Sequence, residues 1–488
     1  NMSTKIELET YDMYGYNTDP YHIYDDVDED IDIDIGVTTA PIKSISKYNA
    51  FRTVKLEKPA EPYEWQRRYI EAINCPFHTP SEALERVRLI QDVQTEFIET
   101  AGSIVKTIVN ESALPDDLKS INRADVGGIA GGDKYISKGI IFKYAVDSKN
   151  IYGSDQFAAK AAGAEMRALR CVESISLREA ERIRRGCENT DQESEPDVVI
   201  APLSTVVDYM GQRIVASALI PINSDTLVYG SADAGKHIQY DDSAHHAIQA
   251  LVNHFHLATH KVFDKTSCRE LSLSIAVDSE LHRGTDGRLY LVDAARMFPP
   301  THPPLHKWTV PVPEKERNTS YHGDTNYSYG GEVELNDLYS DDVEDENREK
   351  AMRFAPSHLF EHFRPEYLVN ISEQISSDAM SGFQNKNEAR IQNRKVKNAT
   401  SILLEKHIPE AARFLLRRMK SSEWEHPDRL VDFLHTRGIN LRYLGLFRKS
   451  VEFLGRDLEE KSNVRSLSNC ILGEIIARTA KYILRERL

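Results

Sequence analysis

Cysteine is scarce in this sequence, and long apolar runs are missing. The five cysteines stand singly, without a CxxC pair, so the sequence indicates neither a disulfide framework nor a zinc cluster and favours a reducing compartment. No stretch approaches the roughly 18 consecutive apolar residues of a membrane-spanning helix. The acidic segment DDVDEDIDID near the start lacks the cations and the apolar core of a targeting peptide. We therefore expect a cytosolic protein.

Positive charge is also in deficit. The chain has 61 Lys and Arg against 76 Asp and Glu, a formal net charge of −15, which argues against wholesale binding to a phosphate backbone. RNA contact would need a local basic patch, and the candidate is KNEARIQNRKVK with Arg394, Lys395 and Lys397. Because no aromatic residues interleave with these cations, a solvated helix face is the alternative.

Charge and hydrophobic patterning divide the chain into five segments. They are an acidic arm (1–50), a leading helical segment (51–119), an α+β core (120–312), an acidic insert (313–350) and a helical C-terminal part (351–488).

In the leading segment, Thr79, Pro80 and Glu82 form a capping-box pattern with proline at the first helical position. Apolar residues then recur every three or four positions, which predicts a long amphipathic helix.

The core has short strand-like runs interrupted by two helical stretches. Gly211 separates VDYM from QRIV and predicts an antiparallel hairpin, while the turn signature TDG before RLYLVDA predicts a second hairpin that ends at Asp293. These features predict an α+β fold, with a small antiparallel sheet and one associated helix at about 120–230. A mainly helical lobe, which includes the hairpin strand at 289–293, is expected to follow.

Glycines and charged residues of the core occur in the order used by a nucleotide site. GGIAGGDKY places Gly131 and Gly132 in a pliable loop whose amides could approach phosphates. Lys143 follows on a strand, Glu165 on the next helix, and Asp293 at the exit of the hairpin. In protein-kinase-like folds such a lysine contacts phosphates, the helical acid orients it and the aspartate binds magnesium.

Asp278 precedes the second hairpin, where a general base or a second metal ligand would come. One hypothesis is therefore a phosphotransferase that uses ATP and Mg²⁺ and is kinase-like in arrangement. The motifs HRD and DFG are absent, and the alternative makes the glycines a flexible connection and Asp293 a buried structural acid.

Histidines suggest a second kind of site. His256 and His260 have a four-residue spacing within HHAIQALVNHFHLATH, but the segment lacks the glutamate of a metalloprotease helix and has no nearby cysteine. Surface or capping histidines are therefore preferred over a zinc site. A serine-hydrolase nucleophile elbow is not indicated, because GxSxG does not occur.

The stretch TRGINLRYLGLF contains Gly438, Asn440, Arg442 and Gly445, and with it the sequence resembles the Clu domain of the clustered mitochondria protein family. VDYMGQRIVASALIP, LVYGSADAGK, GTDGRLYLVDAARMFPP and CILGEIIARTAKYILR agree in order and spacing, so the resemblance covers about residues 50–488. It implies a cytosolic interaction protein that is linked to mitochondrial distribution. It also implies association with protein partners, ribosomes and messenger RNA. The chain resembles a short form without the family's ubiquitin-like and tetratricopeptide regions. The resemblance also implies a structural role for the Asp of LVDAAR.

Overall fold

A computed structural model describes most of the chain outside its acidic segments. The described residues are 62–124, 132–187, 198–264, 266–303, 356–418, 427–456 and 461–487. The predicted acidic arm and acidic insert lie outside these ranges, as does Gly131. Within them, no helix is both long enough and apolar enough to cross a membrane.

Two helices lead into the fold, α1 (Glu64–Ile73) and α2 (Pro80–Asn110). The predicted capping box is confirmed, because the Thr79 side chain accepts from the Glu82 amide and the Glu82 side chain accepts from the Thr79 amide. The two helices pack together through the edge-on contact of Trp65 with Phe97, whose ring centroids are 5.5 Å apart. The apolar stripe of α2 then covers one face of the first sheet.

The first sheet is antiparallel throughout and has the strand order β1-β2-β5-β4. Its strands are β1 (Lys134–Ser137), β2 (Ile140–Tyr144), β4 (Ser204–Tyr209) and β5 (Gln212–Ala218). The predicted hairpin at Gly211, which has a φ of 74°, joins β4 to β5. One face of the sheet packs on α2 and the other on α3 (Asp155–Cys187), where Met166 meets Val215.

The second sheet has the strand order β3-β10-β9-β6. Its strands are β3 (Val199–Ile200), β6 (Leu227–Tyr229), β9 (Glu280–Arg283) and β10 (Leu289–Val292). β3 pairs with β10 in parallel, and the other pairs are antiparallel. Helices α4 (Asp242–Ala247) and α5 (Gln249–His254) lie between β6 and the separate hairpin β7 (His260–Asp264) and β8 (Arg269–Leu273).

The α+β fold class is confirmed, but the lobe after about residue 230 has more strands than the sequence predicts. Leu289, Tyr290 and Leu291 are all buried, so β10 has no polar face and lacks the period-two pattern of a half-exposed strand.

The remaining helices form the C-terminal part of the main core. They are α6 (Pro365–Leu368), α7 (Lys386–Ile402), α8 (Ile408–Arg418), α9 (Pro427–Thr436), α10 (Leu444–Leu454) and α11 (Lys461–Arg487). The last helix returns to the first sheet, where the Arg485 guanidinium donates to Asp208 over 2.6 Å. The N-terminal sheet and the C-terminal helix are therefore tied by a shielded ion pair.

The GINLRYLG stretch connects α9 to α10. Gly438 has a φ of 69° and lies directly against the backbone of Tyr367. The Asn440 side chain caps a short turn by accepting from the Arg442 amide. Arg442 in turn donates to the His362 carbonyl over 2.9 Å. The signature therefore holds the connection between α9 and α10 against the segment that contains His362 and Tyr367.

Candidate active site

The predicted lysine and aspartate meet at the junction of the two sheets. The Lys143 ammonium on β2 donates to the Asp293 carboxylate at the exit of β10, with a distance of 3.2 Å between Nζ and Oδ1. Their side chains are 36% and 50% exposed, so a ligand can reach both. Asp293 is consequently a solvent-accessible acid, not the buried structural acid of the alternative interpretation.

The position of Asp293 follows from the local conformation of the hairpin. Asp286 accepts from the Arg288 amide and the Tyr290 hydroxyl, and Gly287 has a φ of 81°, as the predicted tight turn requires. Asp293 itself adopts the left-handed conformation, with φ 50° and ψ 43°. This conformation costs a non-glycine residue about 1 kcal/mol. It ends the strand and directs the chain into a short 3-10 turn.

Glu165 lies on α3 close to the same ion pair. The charges of Asp293 and Glu165 raise the pKa of the Lys143 ammonium, which stays protonated at neutral pH. Burial raises the pKa of Glu165, although Lys143 opposes this effect, and Lys143 lowers the pKa of Asp293. The direct ion pair of Lys143 is with Asp293, and Glu165 acts on it from a longer distance. The strand, the helix and the hairpin exit are thus close enough for their charges to interact, but the ion pair of Lys143 is with Asp293 and not with Glu165.

Asp278 reaches this site from the loop before β9. Its Oδ2 accepts from the Arg296 guanidinium over 3.0 Å, whereas its Oδ1 is buried without a hydrogen-bond partner among the described residues. Burial raises the pKa of the Asp278 carboxyl. Burial, with Glu165 as the next cause, also raises the pKa of Tyr152 to about 12, and Asp278 and Asp293 contribute. The Tyr152 hydroxyl therefore lies within electrostatic range of these acids.

Asp378, a buried acid that was not predicted from the sequence, is linked to Asp278 through Arg296. The Asp378 side chain is completely buried and accepts from His260 Nε2 over 2.7 Å and from the Val277 amide over 2.9 Å. It also accepts from Arg296, so the same guanidinium contacts both Asp278 and Asp378. Asp378 is 101 residues from Val277 in the chain and lies in no recognisable motif, so no sequence pattern could have found it.

The histidine interpretation needs correction at His260. The imidazole is buried and hydrogen-bonded to Asp378, so it is neither a surface nor a capping group. His256 lies in a turn with a φ of 55°. Among the described residues, no group of three His, Cys, Asp or Glu side chains could hold a metal ion by itself. A magnesium site with one or two carboxylates, completed by phosphates and water, does not need such a group.

Gly132 lies away from the Lys143 ammonium. Its amide donates to the Ser148 hydroxyl over 2.9 Å, and it lines a cavity of about 780 Å³ beside Tyr135 and Tyr144. Side chains alternate along a strand, so Tyr144 and Lys143 point to opposite faces of β2. The predicted phosphate-binding role of Gly132 therefore gains no support from its position.

The predicted basic patch divides between two environments. Arg394 and Lys397 are exposed on α7, but Lys395 is half-buried and its ammonium donates to the Gln374 carbonyl over 3.1 Å. Lys386 and Arg390 are exposed at preceding four-residue steps of the same helix. The exposed stripe is thus Lys386, Arg390, Arg394 and Lys397.

Comparison with known proteins gives the class of this chain. A family model described as "Clustered mitochondria" matches residues 64–302, and one described as "Translation initiation factor eIF3 subunit 135" matches residues 426–488. The two sheets and their junction lie in the first match, so this is a Clu-domain protein. Residues 64–302 therefore form a domain of the clustered mitochondria family.

Relatives in distant organisms match most of the chain. It is similar to the clustered mitochondria protein homolog of Dictyostelium discoideum, with 22% identity over 88% of the chain and 32% of the relative. The Arabidopsis thaliana protein is 23% identical over 87% of the chain and 33% of its own length. The chain spans about a third of the length of these curated relatives. No solved structure matches it significantly.

Proposed function

We propose that the Lys143–Asp293 site binds a magnesium nucleotide and that the Clu domain of this chain is an ATP-dependent phosphotransferase. The observation that supports this proposal is the exposed ion pair between β2 and the exit of β10, with Glu165 beside it. Phosphoryl transfer requires a cation for the phosphates and an acid for the metal in one place. The ammonium of Lys143 and the carboxylate of Asp293 bring these two kinds of group together, which supports the proposal.

The donor chemistry of the site fits magnesium. Asp293 presents exposed carboxylate oxygens, and Asp278 has a buried oxygen without a partner among the described residues. Hard cations prefer such oxygen ligands. A bound magnesium ion would supply charge neutralisation for the phosphates. Asp293 would hold the ion, Lys143 would contact the phosphates, Glu165 would orient Lys143, and Asp278 would act as base or second ligand.

Binding of ATP with magnesium should raise the stability of the wild-type chain. At a ligand concentration of 100 times Kd, we expect about 2.7 kcal/mol of added stability, measured by thermal shift or chemical denaturation. Lys143→Met and Asp293→Asn should each abolish the effect, because each removes one direct ligand contact. Chelation of magnesium should do the same.

Asp92→Asn is the matched control for Asp293→Asn, because the Asp92 side chain is 67% exposed on α2. This control should bind ATP as the wild type does. The nucleotide proposal fails if the wild type shows no magnesium-dependent binding, or if Lys143→Met and Asp293→Asn bind normally. Transfer of the γ-phosphate to water or to an added protein, lost in Asp293→Asn, would distinguish an enzyme from a nucleotide-binding module.

We also propose a cellular role in mitochondrial distribution, exercised in the cytosol through protein partners and RNA. The family match and the names of the relatives favour the first part. The match of residues 426–488 to an initiation-factor subunit favours a partner in the translation machinery. The exposed basic stripe on α7 favours direct RNA contact.

Charge reversal of the stripe tests the RNA contact. Arg394→Glu with Lys397→Glu should reduce RNA binding at least tenfold and lower the salt slope by about two, because two phosphate contacts are lost. Retention of crosslinked RNA and titration at several salt concentrations measure both effects. Arg88→Glu, at a side chain 73% exposed on α2, is the control. Equal losses in both proteins would remove the stripe from consideration.

A further inference from the structure

A second lysine stands directly beside Lys143. In the antiparallel pairing of β1 with β2, Lys134 is the partner of Lys143. Directly opposed residues of an antiparallel pair project from the same face of the sheet, with their Cβ atoms about 5 Å apart. Two like charges in this arrangement repel each other and destabilise the sheet. The chain therefore holds an unfavourable pair at the face where Asp293 approaches.

The electrostatic surroundings indicate that both lysines belong to one site. Burial, followed by the Lys143 charge, lowers the pKa of Lys134, while Asp293 and Glu280 oppose this effect. Asp293 attracts both ammonium groups, but its hydrogen bond is with Lys143. Lys149, exposed in the turn after β2, adds a third positive charge that acts on Lys134. Lys134, Lys143 and Lys149 thus cluster beside the first sheet, facing Asp293 at the exit of the hairpin and Glu165 on α3.

We propose that Lys134 and Lys143 together bind two adjacent phosphate groups of one ligand, so that the site selects a polyphosphate over a monophosphate. This inference rests on the proposed function and extends it to the class of ligand. Lysine binds phosphate as a point charge, so two neighbouring ammonium groups suit two linked phosphates. The acids on the opposite side remain available for magnesium. The polyphosphate can belong to a nucleotide or to an inorganic chain.

Titration calorimetry with MgATP, AMP and magnesium tripolyphosphate tests the pair. The wild type should bind ATP more tightly than AMP. Lys134→Gln should weaken ATP binding about tenfold or more and leave AMP binding unchanged. Lys138→Gln, at an exposed position in the turn of the same hairpin, should behave as the wild type. A parallel loss of tripolyphosphate binding in Lys134→Gln would support the pair and assign recognition to the phosphates alone.

An unchanged ratio of ATP to AMP affinity in Lys134→Gln would overturn the inference but leave the nucleotide site intact. A wild type that binds none of the three ligands would instead overturn the proposed function, and the inference with it.

Discussion

Gly438→Ala should destabilise the chain by about 3 kcal/mol. The glycine has a φ of 69°, and an added Cβ would lie 2.3 Å from the Tyr367 amide nitrogen and 2.6 Å from its Cα. Alanine in the left-handed region costs about 1 kcal/mol, and displacing packed backbone typically adds about 1 to 3 kcal/mol. Urea unfolding measures the change. Glycine is thus required at this position because the Cβ of any other residue would collide with the backbone of Tyr367.

Gly445, seven positions later in the same signature, provides the control. It lies in α10 and a Cβ would meet nothing within 4 Å. Gly445→Ala should therefore be neutral or should stabilise the chain by up to about 1 kcal/mol, because alanine favours the helix. Equal destabilisation by the two substitutions would contradict the proposed collision at Gly438.

Asp378→Asn should cost about 3 kcal/mol or more of unfolding free energy. The Arg296 side chain is 7% exposed and contacts the carboxylates of Asp378 and Asp278. Removing one partner of a buried charge leaves that charge poorly compensated, which is more costly than losing the attraction alone. Asparagine keeps only one side-chain oxygen, so it cannot accept from Arg296 on one side and from His260 and Val277 on the other, as the carboxylate does. Chemical denaturation at neutral pH measures the loss.

Asp92→Asn makes the same chemical change in an exposed ion pair with a distance of 3.8 Å. It should alter stability by less than about 1 kcal/mol. If the two variants are equally stable, the buried cluster around Arg296 is not important for the fold. Nucleotide binding should weaken in Asp378→Asn even where it remains folded, because one side-chain amide cannot hold both the Val277 amide and Arg296, the guanidinium that contacts Asp278.

Acid should remove part of the stability that Asp378 contributes. Burial opposes its ionisation, but the hydrogen bond and charge of His260, with Arg296, hold its pKa below the ordinary value. A depressed carboxyl pKa stabilises the fold above the unfolded value near pH 4, and this contribution is lost as the pH falls further. Asp378→Asn should therefore show a smaller loss of stability than the wild type below about pH 4.

The sequence predicted those parts of the fold and site that depend on local order. The capping box at Thr79 follows from three residues, and Lys143 and Asp293 could be placed by the elements that precede them. Asp378 could not, because its partners are fixed by packing across about a hundred residues. The hairpin strand β10 could also be predicted, but strands β3 and β6 of its sheet have only two and three residues and are too short to show a strand pattern. Lys395 does not belong to the exposed basic stripe, because it lies on another face of α7 and its ammonium donates to the Gln374 carbonyl.

The ion pair between Arg485 and Asp208 closes the chain into a loop, since it joins residues 277 positions apart. Asp208 belongs to the sheet that holds Lys143, and Arg485 belongs to the segment that resembles an initiation-factor subunit. If a ligand takes over the contact between Lys143 and Asp293, the first sheet changes its attachment to the second but keeps its attachment to α11. The first sheet is thus the element that joins the proposed ligand site to the C-terminal helix, through Lys143 at one side and Asp208 at the other.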